Sequence, residues 1–85
     1  MHTADHETRI LAIQAITRLP LDAAKVIYQD FVVAASAGSK GLKLSFDEAV
    51  DEGWQVYRRA LVEKGDASQA QAHVERWLSI RATWP

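Results

Sequence analysis

Hydrophobic residues recur every three to four positions along most of the chain, which is the spacing of one face of an α-helix. Proline or glycine interrupts this pattern three times. We therefore predict four helices, at about residues 4–18, 22–37, 46–64 and 67–82. The short connections place successive helices antiparallel. Since only helices are predicted, the predicted fold is all-α. It is a small four-helix antiparallel bundle or two packed helical hairpins, in a single helical domain over residues 1–85.

The predicted helix ends carry residues that commonly start or stop helices. Ser45 and Glu48 have the S-x-x-E spacing of a capping box at the start of the third helix. Gly38 and Gly65 stand where the second and third helices are expected to end, as C′ glycines. Asp66 is then the expected N-cap of the fourth helix.

In the first helix the apolar residues favour one side, with Ile13 at its margin. The members of that side are Leu11, Ala12, Ala15, Ile16 and Leu19. We expect this side to face the core.

The second helix carries apolar residues on two sides. Its main face consists of Ala24, Ile27, Tyr28, Phe31, Ala34 and Ala35. Val26 and Val33, one heptad apart, interrupt the opposite, polar side. A helix that is apolar on two sides is either central in its own bundle or half of an interface. Val26 and Val33 are therefore candidate protein-binding residues, with a homodimer as one version of that contact.

The third helix sorts its charges along its length. Its acidic residues come first, its two arginines later, and all lie opposite the apolar stripe formed by Phe46, Val50, Trp54, Tyr57 and Leu61. The acidic residues are Asp47, Glu48, Asp51 and Glu52. The helix dipole explains the order, but two i,i+4 acid pairs remain, each costing roughly 0.2–0.5 kcal/mol. This acidic face is either a solvated surface or a surface for a partner.

Gly53 interrupts the same helix, where glycine costs about 1 kcal/mol relative to alanine. Ala49 and Ala60 extend it into an edge of small residues. We expect this edge to permit the close approach of another helix of the same fold.

The fourth helix ends in an aromatic and arginine cluster, Trp77, Arg81 and Trp84. Residues of these types dominate binding hot spots, so the cluster is a candidate protein-binding surface. The alternative is that Arg81 extends past the end of the core and places its charge near the helix C-terminus, where a cation is stabilised.

Composition limits the function classes. The 85 residues include 10 Lys and Arg against 11 Asp and Glu, a net charge of −1, so a general phosphate-binding surface is not expected. No apolar run approaches the roughly 18 residues of a membrane span. The first residues are polar and acidic, unlike a secretory signal peptide. With no cysteine in the chain, we expect a cytoplasmic protein.

No residue pattern points to catalysis. A cysteine nucleophile, a nucleophile elbow and a phosphate-binding glycine loop are all missing from the sequence. His2 and His6 have the i,i+4 spacing of a metal-ligand pair, but they belong to a polar terminus that is expected to fray. We therefore predict no enzymatic activity, no catalytic residue, no cofactor and no metal site.

The sequence favours a non-enzymatic interaction protein that binds another protein, or itself, and so regulates, inhibits or adapts it by occupying a surface. Proteins of this size are frequent among phage and plasmid regulators, an association that rests on size alone. The alternative is a nucleic-acid-associated regulator with a modest basic patch. That patch would consist of Arg58, Arg59, Lys40, Lys43 and Arg76.

Overall fold

A computed structural model of the chain describes residues 3–39, 41 and 44–83. All regular structure in these residues is helical, with no strand among them. The helices are α1 (Thr3–Thr17), α2 (Leu21–Ser39), α3 (Phe46–Lys64) and α4 (Ala67–Arg81). The protein is thus a small all-α four-helix bundle, and the predicted fold class is confirmed.

Successive helices form two antiparallel hairpins. In the first, His6 near the start of α1 contacts Tyr28, whereas Leu11 further along α1 shares a cavity with Leu21 at the start of α2. In the second, Glu52 of α3 pairs with Arg81 at the end of α4. The hairpins pack through α2 and α3, which also contact α4 and α1 respectively, so α1 and α4 are the outer helices.

Four aromatic side chains from α2 and α3 form the centre of the core. They are Tyr28, Phe31, Trp54 and Tyr57, whose neighbouring ring centroids lie 5.0–6.1 Å apart. We call this group the aromatic cluster. Such tilted, stacked and edge-to-face ring pairs each add about 0.5–1.5 kcal/mol beyond the area that they bury. The cluster therefore fixes how the two hairpins meet.

The inward side of α1 differs from the predicted one. Ile13, expected at the margin, is completely buried, whereas Leu11 is 56% exposed and Ala15 is also exposed. The reason is that His6 and Arg9, which share a side of the helix with Ile13, hydrogen-bond to groups on α2 and α3. These polar contacts set which side of α1 faces the core. The spacing of apolar residues, on which the prediction rested, does not show them.

The predicted helix bounds are correct for both ends of α3 and for the start of α4, and they are one or two residues off at the other ends. In α1 the helix ends at Thr17, and Arg18 takes a left-handed conformation (φ 60°) that lets its N–H bond to the Gln14 carbonyl at 2.8 Å. The α2 helix continues through Gly38 to Ser39, so the prediction that Gly38 is a C′ residue was wrong. That glycine has a packing role instead.

Close packing against α4 accounts for the glycine at position 38. A Cβ atom there would lie 3.0 Å from both Cδ atoms of Leu78, tighter than atoms normally approach. The prediction for α3 holds: Gly65 ends it in a left-handed conformation with φ 67°.

Side chains cap the starts of α3 and α4 as predicted. The Ser45 Oγ accepts a hydrogen bond from the Glu48 N–H at 3.1 Å. The Asp66 carboxylate accepts the N–H groups of Ser68 and Gln69 at 2.7 and 3.2 Å. Each such cap contributes about 1 kcal/mol, which helps so short a chain to hold four helices.

Candidate functional site

The outer face of α2 exposes two large apolar side chains. Val26 is 56% exposed and Val33 is 67% exposed, whereas Tyr28 and Phe31 on the opposite face are buried in the aromatic cluster. The helix therefore uses its main apolar face inside the bundle and leaves the valine pair in solvent. We call the exposed residues Val26 and Val33 the α2 valine pair.

An arginine on α1 joins three helices on the other side of the bundle. Arg9 Nη2 donates to the Asp51 Oδ1 of α3 at 2.7 Å, and Arg9 Nη1 donates to the Tyr28 hydroxyl of α2 at 3.5 Å. Its guanidinium carbon lies 5.7 Å from the centroid of the Trp54 ring, within range of a cation–π contact. The Tyr28 hydroxyl also bonds to His6 Nδ1 at 2.7 Å. We call His6, Arg9, Tyr28 and Asp51 the α1 polar network.

The surroundings of Arg9 and Tyr28 shift the pKa of both groups upward. Burial by itself lowers the pKa of the Arg9 guanidinium, but hydrogen bonds to Asp51 and Tyr28 outweigh it and hold the pKa above its usual value. Burial raises the pKa of the Tyr28 hydroxyl, and the hydrogen bond from Arg9 opposes part of that rise. The arginine is therefore cationic and the tyrosine neutral at every physiological pH. Sequence reasoning missed this network, although His6, Arg9 and Ile13 have the spacing of one helix face.

The acidic face of α3 is partly used within the fold. Asp51 pairs with Arg9, and Glu52 pairs with Arg81 of α4, the Glu52 Oε2 to Arg81 Nε distance being 3.4 Å. Asp47 and Glu48, one helical turn earlier, lie on the exposed side of the helix. One member of each repelling acid pair thus meets an arginine from a neighbouring helix, which explains how the helix accommodates both pairs.

The predicted cluster at the end of α4 is only partly described. Trp77 is half-buried and packs against the core, with Cζ3 3.8 Å from where a Cβ atom on Gly53 would lie. Arg81 is half-buried beside Glu52. Trp84 lies outside the described residues. The two described members therefore contribute to the packing of α4 on α3.

Gly53 is buried between α2 and α4, within the same fold, as its sequence position suggested. A Cβ atom at this position would lie 3.4 and 3.5 Å from Phe31 ring atoms, which are ordinary van der Waals distances. The close approach is real, but it leaves room for a methyl group.

The basic residues of the nucleic-acid alternative do not form one described patch. Arg58 and Arg59 are exposed on α3, where they share a shallow cavity with Glu63, an acidic residue. Arg76 is exposed on α4. Lys40 and Lys43 lie outside the described residues.

A cavity lies where α2, the second half of α3 and the start of α4 meet. It has a volume of about 260 Å³ and is lined by Ile27, Asp30, Tyr57, Ala67, Ser68 and Gln71. The Tyr57 hydroxyl is buried and has no hydrogen-bond partner in the described part of the chain. Burial, and secondarily the nearby Asp30 charge, raises the pKa of Tyr57 to about 12. Sequence reasoning placed Tyr57 in the core stripe and gave no sign of the unpaired hydroxyl.

Neither a group of metal-ligating side chains nor a helix able to cross a membrane is present among the described residues. Residues 3–39, 41 and 44–83 contain no group of three or more side chains that could hold a metal ion. Of the predicted histidine pair, His6 is hydrogen-bonded to Tyr28, and His2 lies outside the described range. None of the four described helices is both long enough and apolar enough to cross a membrane.

Comparison with known proteins places the chain in no class: no protein-family model, no curated protein and no solved structure matches it.

Proposed function

We propose that this chain is a cytoplasmic, non-enzymatic interaction module that binds another protein, or a second copy of itself, through the α2 valine pair. By occupying a surface of that partner it would regulate, inhibit or adapt it. The observation that carries the proposal is the exposure of Val26 and Val33, at 56% and 67%, on a helix whose other face is already committed to the core.

The other candidate surfaces give weaker support. Asp51 and Glu52 of the acidic face are engaged by arginines of the same chain. Trp77 packs inward on α3. The α2 valine pair has no such internal role, so a contact there would bury apolar area at little cost to existing interactions.

The expected strength of the contact follows from the exposed area. Full burial of a valine side chain contributes about 1.5–3 kcal/mol, and roughly half of each valine remains to be buried. The pair would then contribute about 2–4 kcal/mol to binding, and its loss should weaken a complex at least about 30-fold. Replacement by aspartate adds the cost of burying a charge.

The test compares three forms of the protein as affinity baits: wild type, the double variant Val26→Asp with Val33→Asp, and Val62→Asp. Val62 is a valine of α3 with a similar exposure of 60%, so it is the matched control. Proteins retained by wild type and by Val62→Asp, but lost with the double variant, are partners of the α2 face. Circular dichroism of each bait confirms that helix content is unchanged.

Sedimentation velocity decides whether the partner is a second copy. A wild-type dimer that the double variant abolishes, and that Val62→Asp preserves, identifies the partner as the chain itself. If wild type is a monomer and all three baits retain the same proteins equally, the proposal is wrong.

A further inference from the structure

The buried hydroxyl of Tyr57 is the feature that the fold itself leaves unexplained. Within the described residues it is the one buried side-chain polar atom without a hydrogen-bond partner. Buried polar atoms in native proteins almost always find a partner, because an unmade hydrogen bond leaves the cost of desolvation uncompensated. Phenylalanine at this position would leave no polar atom unpaired, so the tyrosine points to a group that binds to the hydroxyl.

The surroundings of Tyr57 provide space for such a group. The residue lines the cavity of about 260 Å³ between α2, α3 and α4, together with Asp30 and Gln71. Gln71 Nε2 donates to the Asp30 carbonyl at 3.4 Å and to Glu75 Oε1 at 3.5 Å, both near the long limit of a hydrogen bond. Because both bonds of the amide are weak, the Gln71 side chain can move at little cost and enlarge the space in the cavity that it shares with Tyr57.

Charge in the cavity selects the class of ligand. The Asp30 carboxylate is exposed and makes no ion pair with any described residue. The start of α4 would ordinarily attract an anion, but Asp66 already accepts the Ser68 and Gln69 N–H groups. An anion in the cavity would be repelled by the Asp30 carboxylate, whereas a cation would meet oxygen acceptors.

We propose that this cavity binds a primary ammonium group on a short alkyl stem, either a lysine side chain or a small aliphatic amine. The ammonium donates to the Tyr57 hydroxyl oxygen and pairs with the Asp30 carboxylate, and its stem packs on Ile27 and Ala67. An ammonium suits this site better than a guanidinium, since a compact charge with three rotatable donors can use separate acceptors. The proposal goes beyond the role of the α2 valine pair and does not depend on it.

The experiment is a titration of the full chain with n-butylammonium, followed by the NMR shifts of backbone amides. We expect saturable shifts at Ala67, Ser68 and Gln71 in the millimolar range, as suits a ligand of five heavy atoms. Asp30→Asn and Tyr57→Phe should each weaken binding at least about 5-fold, because each removes one acceptor. Asp22→Asn, an exposed aspartate on the same helix, is the matched control and should leave the affinity unchanged.

Three results would overturn the proposal. The first is that n-butanol, which has the same stem and no charge, shifts these amides as strongly as the amine. The second is that acetate binds and the amine does not. The third is that Asp22→Asn weakens binding as much as Asp30→Asn, which would mark general attraction to a negative surface.

A second probe, Nα-acetyl-lysine amide, separates the two sources of the ammonium. Tighter binding than n-butylammonium identifies a lysine of a protein partner, and equal binding identifies a small amine. Both results require binding at Tyr57 and Asp30 and so support the proposal. Because phenylalanine and asparagine keep the shapes of the original side chains, the amide spectra of the variants should show that the fold is retained.

Discussion

Tyr28 and Tyr57 belong to the same aromatic cluster and are both buried, but only one of them has a satisfied hydroxyl. On the α1 side of the cluster, His6 and Arg9 both reach the hydroxyl of Tyr28. On the α4 side, the hydroxyl of Tyr57 is buried beside a cavity and has no partner among the described residues.

The Tyr28 hydroxyl and its partners thus stabilise the fold, whereas the Tyr57 hydroxyl makes no hydrogen bond within the described part of the chain that would do so. The three hydrogen bonds of the α1 polar network all join α1 to α2 or α3. Nothing comparable holds Tyr57, whose ring would pack equally well as phenylalanine. A functional role is therefore better sought on the α4 side of the cluster than on the α1 side.

Removal of the Tyr28 hydroxyl should lower the free energy of unfolding, and removal of the Tyr57 hydroxyl should raise it. Tyr28→Phe leaves His6 Nδ1 and one Arg9 donor without their partner, so we expect a loss of about 1–2 kcal/mol. Tyr57→Phe removes a buried group that bonds to nothing, so we expect a gain of about 1 kcal/mol. Urea unfolding followed by circular dichroism measures both, with unchanged m-values as the sign that the denatured state is unaffected.

A double-mutant cycle sharpens this contrast. Arg9→Met keeps much of the side-chain stem, and combined with Tyr28→Phe it should be non-additive by about 0.5–1 kcal/mol, because the two residues share a hydrogen bond. Combined with Tyr57→Phe it should be additive to within about 0.5 kcal/mol. Loss of stability on Tyr57→Phe would show that the hydroxyl is satisfied inside the protein, and the comparison would fail.

Alkaline pH should destabilise the folded protein through ionisation of the Tyr57 hydroxyl. The folded-state pKa of about 12 lies above the ordinary value of 10.0, so the folded protein holds this proton more tightly than the unfolded chain does. The resulting stability is fully present below pH 10 and is lost as the pH rises from about 10 to 12. At about 1.4 kcal/mol per pKa unit, the loss is at most about 2–3 kcal/mol.

Urea unfolding of wild type and Tyr57→Phe at several pH values between 8 and about 12 isolates this contribution. The stability of wild type should decline more steeply than that of the variant over this range. Parallel curves would mean that the Tyr57 hydroxyl ionises as easily in the folded protein as in the unfolded chain. Such a result would contradict its burial without a partner.

Features that depend on local sequence could be predicted well. The start of α3 at Ser45, the end at Gly65 and the cap at Asp66 follow from side chains within three or four residues of the backbone groups that they satisfy. The exposure of the α2 valine pair was one of two alternatives that the sequence left open, since a helix that is apolar on two sides is either central in its bundle or half of an interface.

Features that depend on contacts between distant residues could not be predicted. Arg9 and Asp51 are 42 residues apart, and neither differs in type from the solvated charges around it. Their contact rotates α1 so that Ile13 is buried, and it also relieves the repulsion between Asp47 and Asp51. The unpaired state of Tyr57 likewise depends on what α2 and α4 place around it.

The smallest predicted effect concerns Gly53, the glycine in the middle of α3, and its comparison with Gly38 near the end of α2. A methyl group on Gly53 would contact Phe31 at 3.4 and 3.5 Å, which the site can accept, whereas one on Gly38 would meet Leu78 at 3.0 Å. Gly53→Ala should therefore stabilise the protein by about 0.5–1 kcal/mol through helix propensity. Gly38→Ala should destabilise it by about 1 kcal/mol, because overpacking outweighs the same gain. Thermal unfolding of the two variants distinguishes these signs. A loss of stability at both positions would mean that the end of α4 packs too closely on α2 and α3 to accept a methyl group at either glycine.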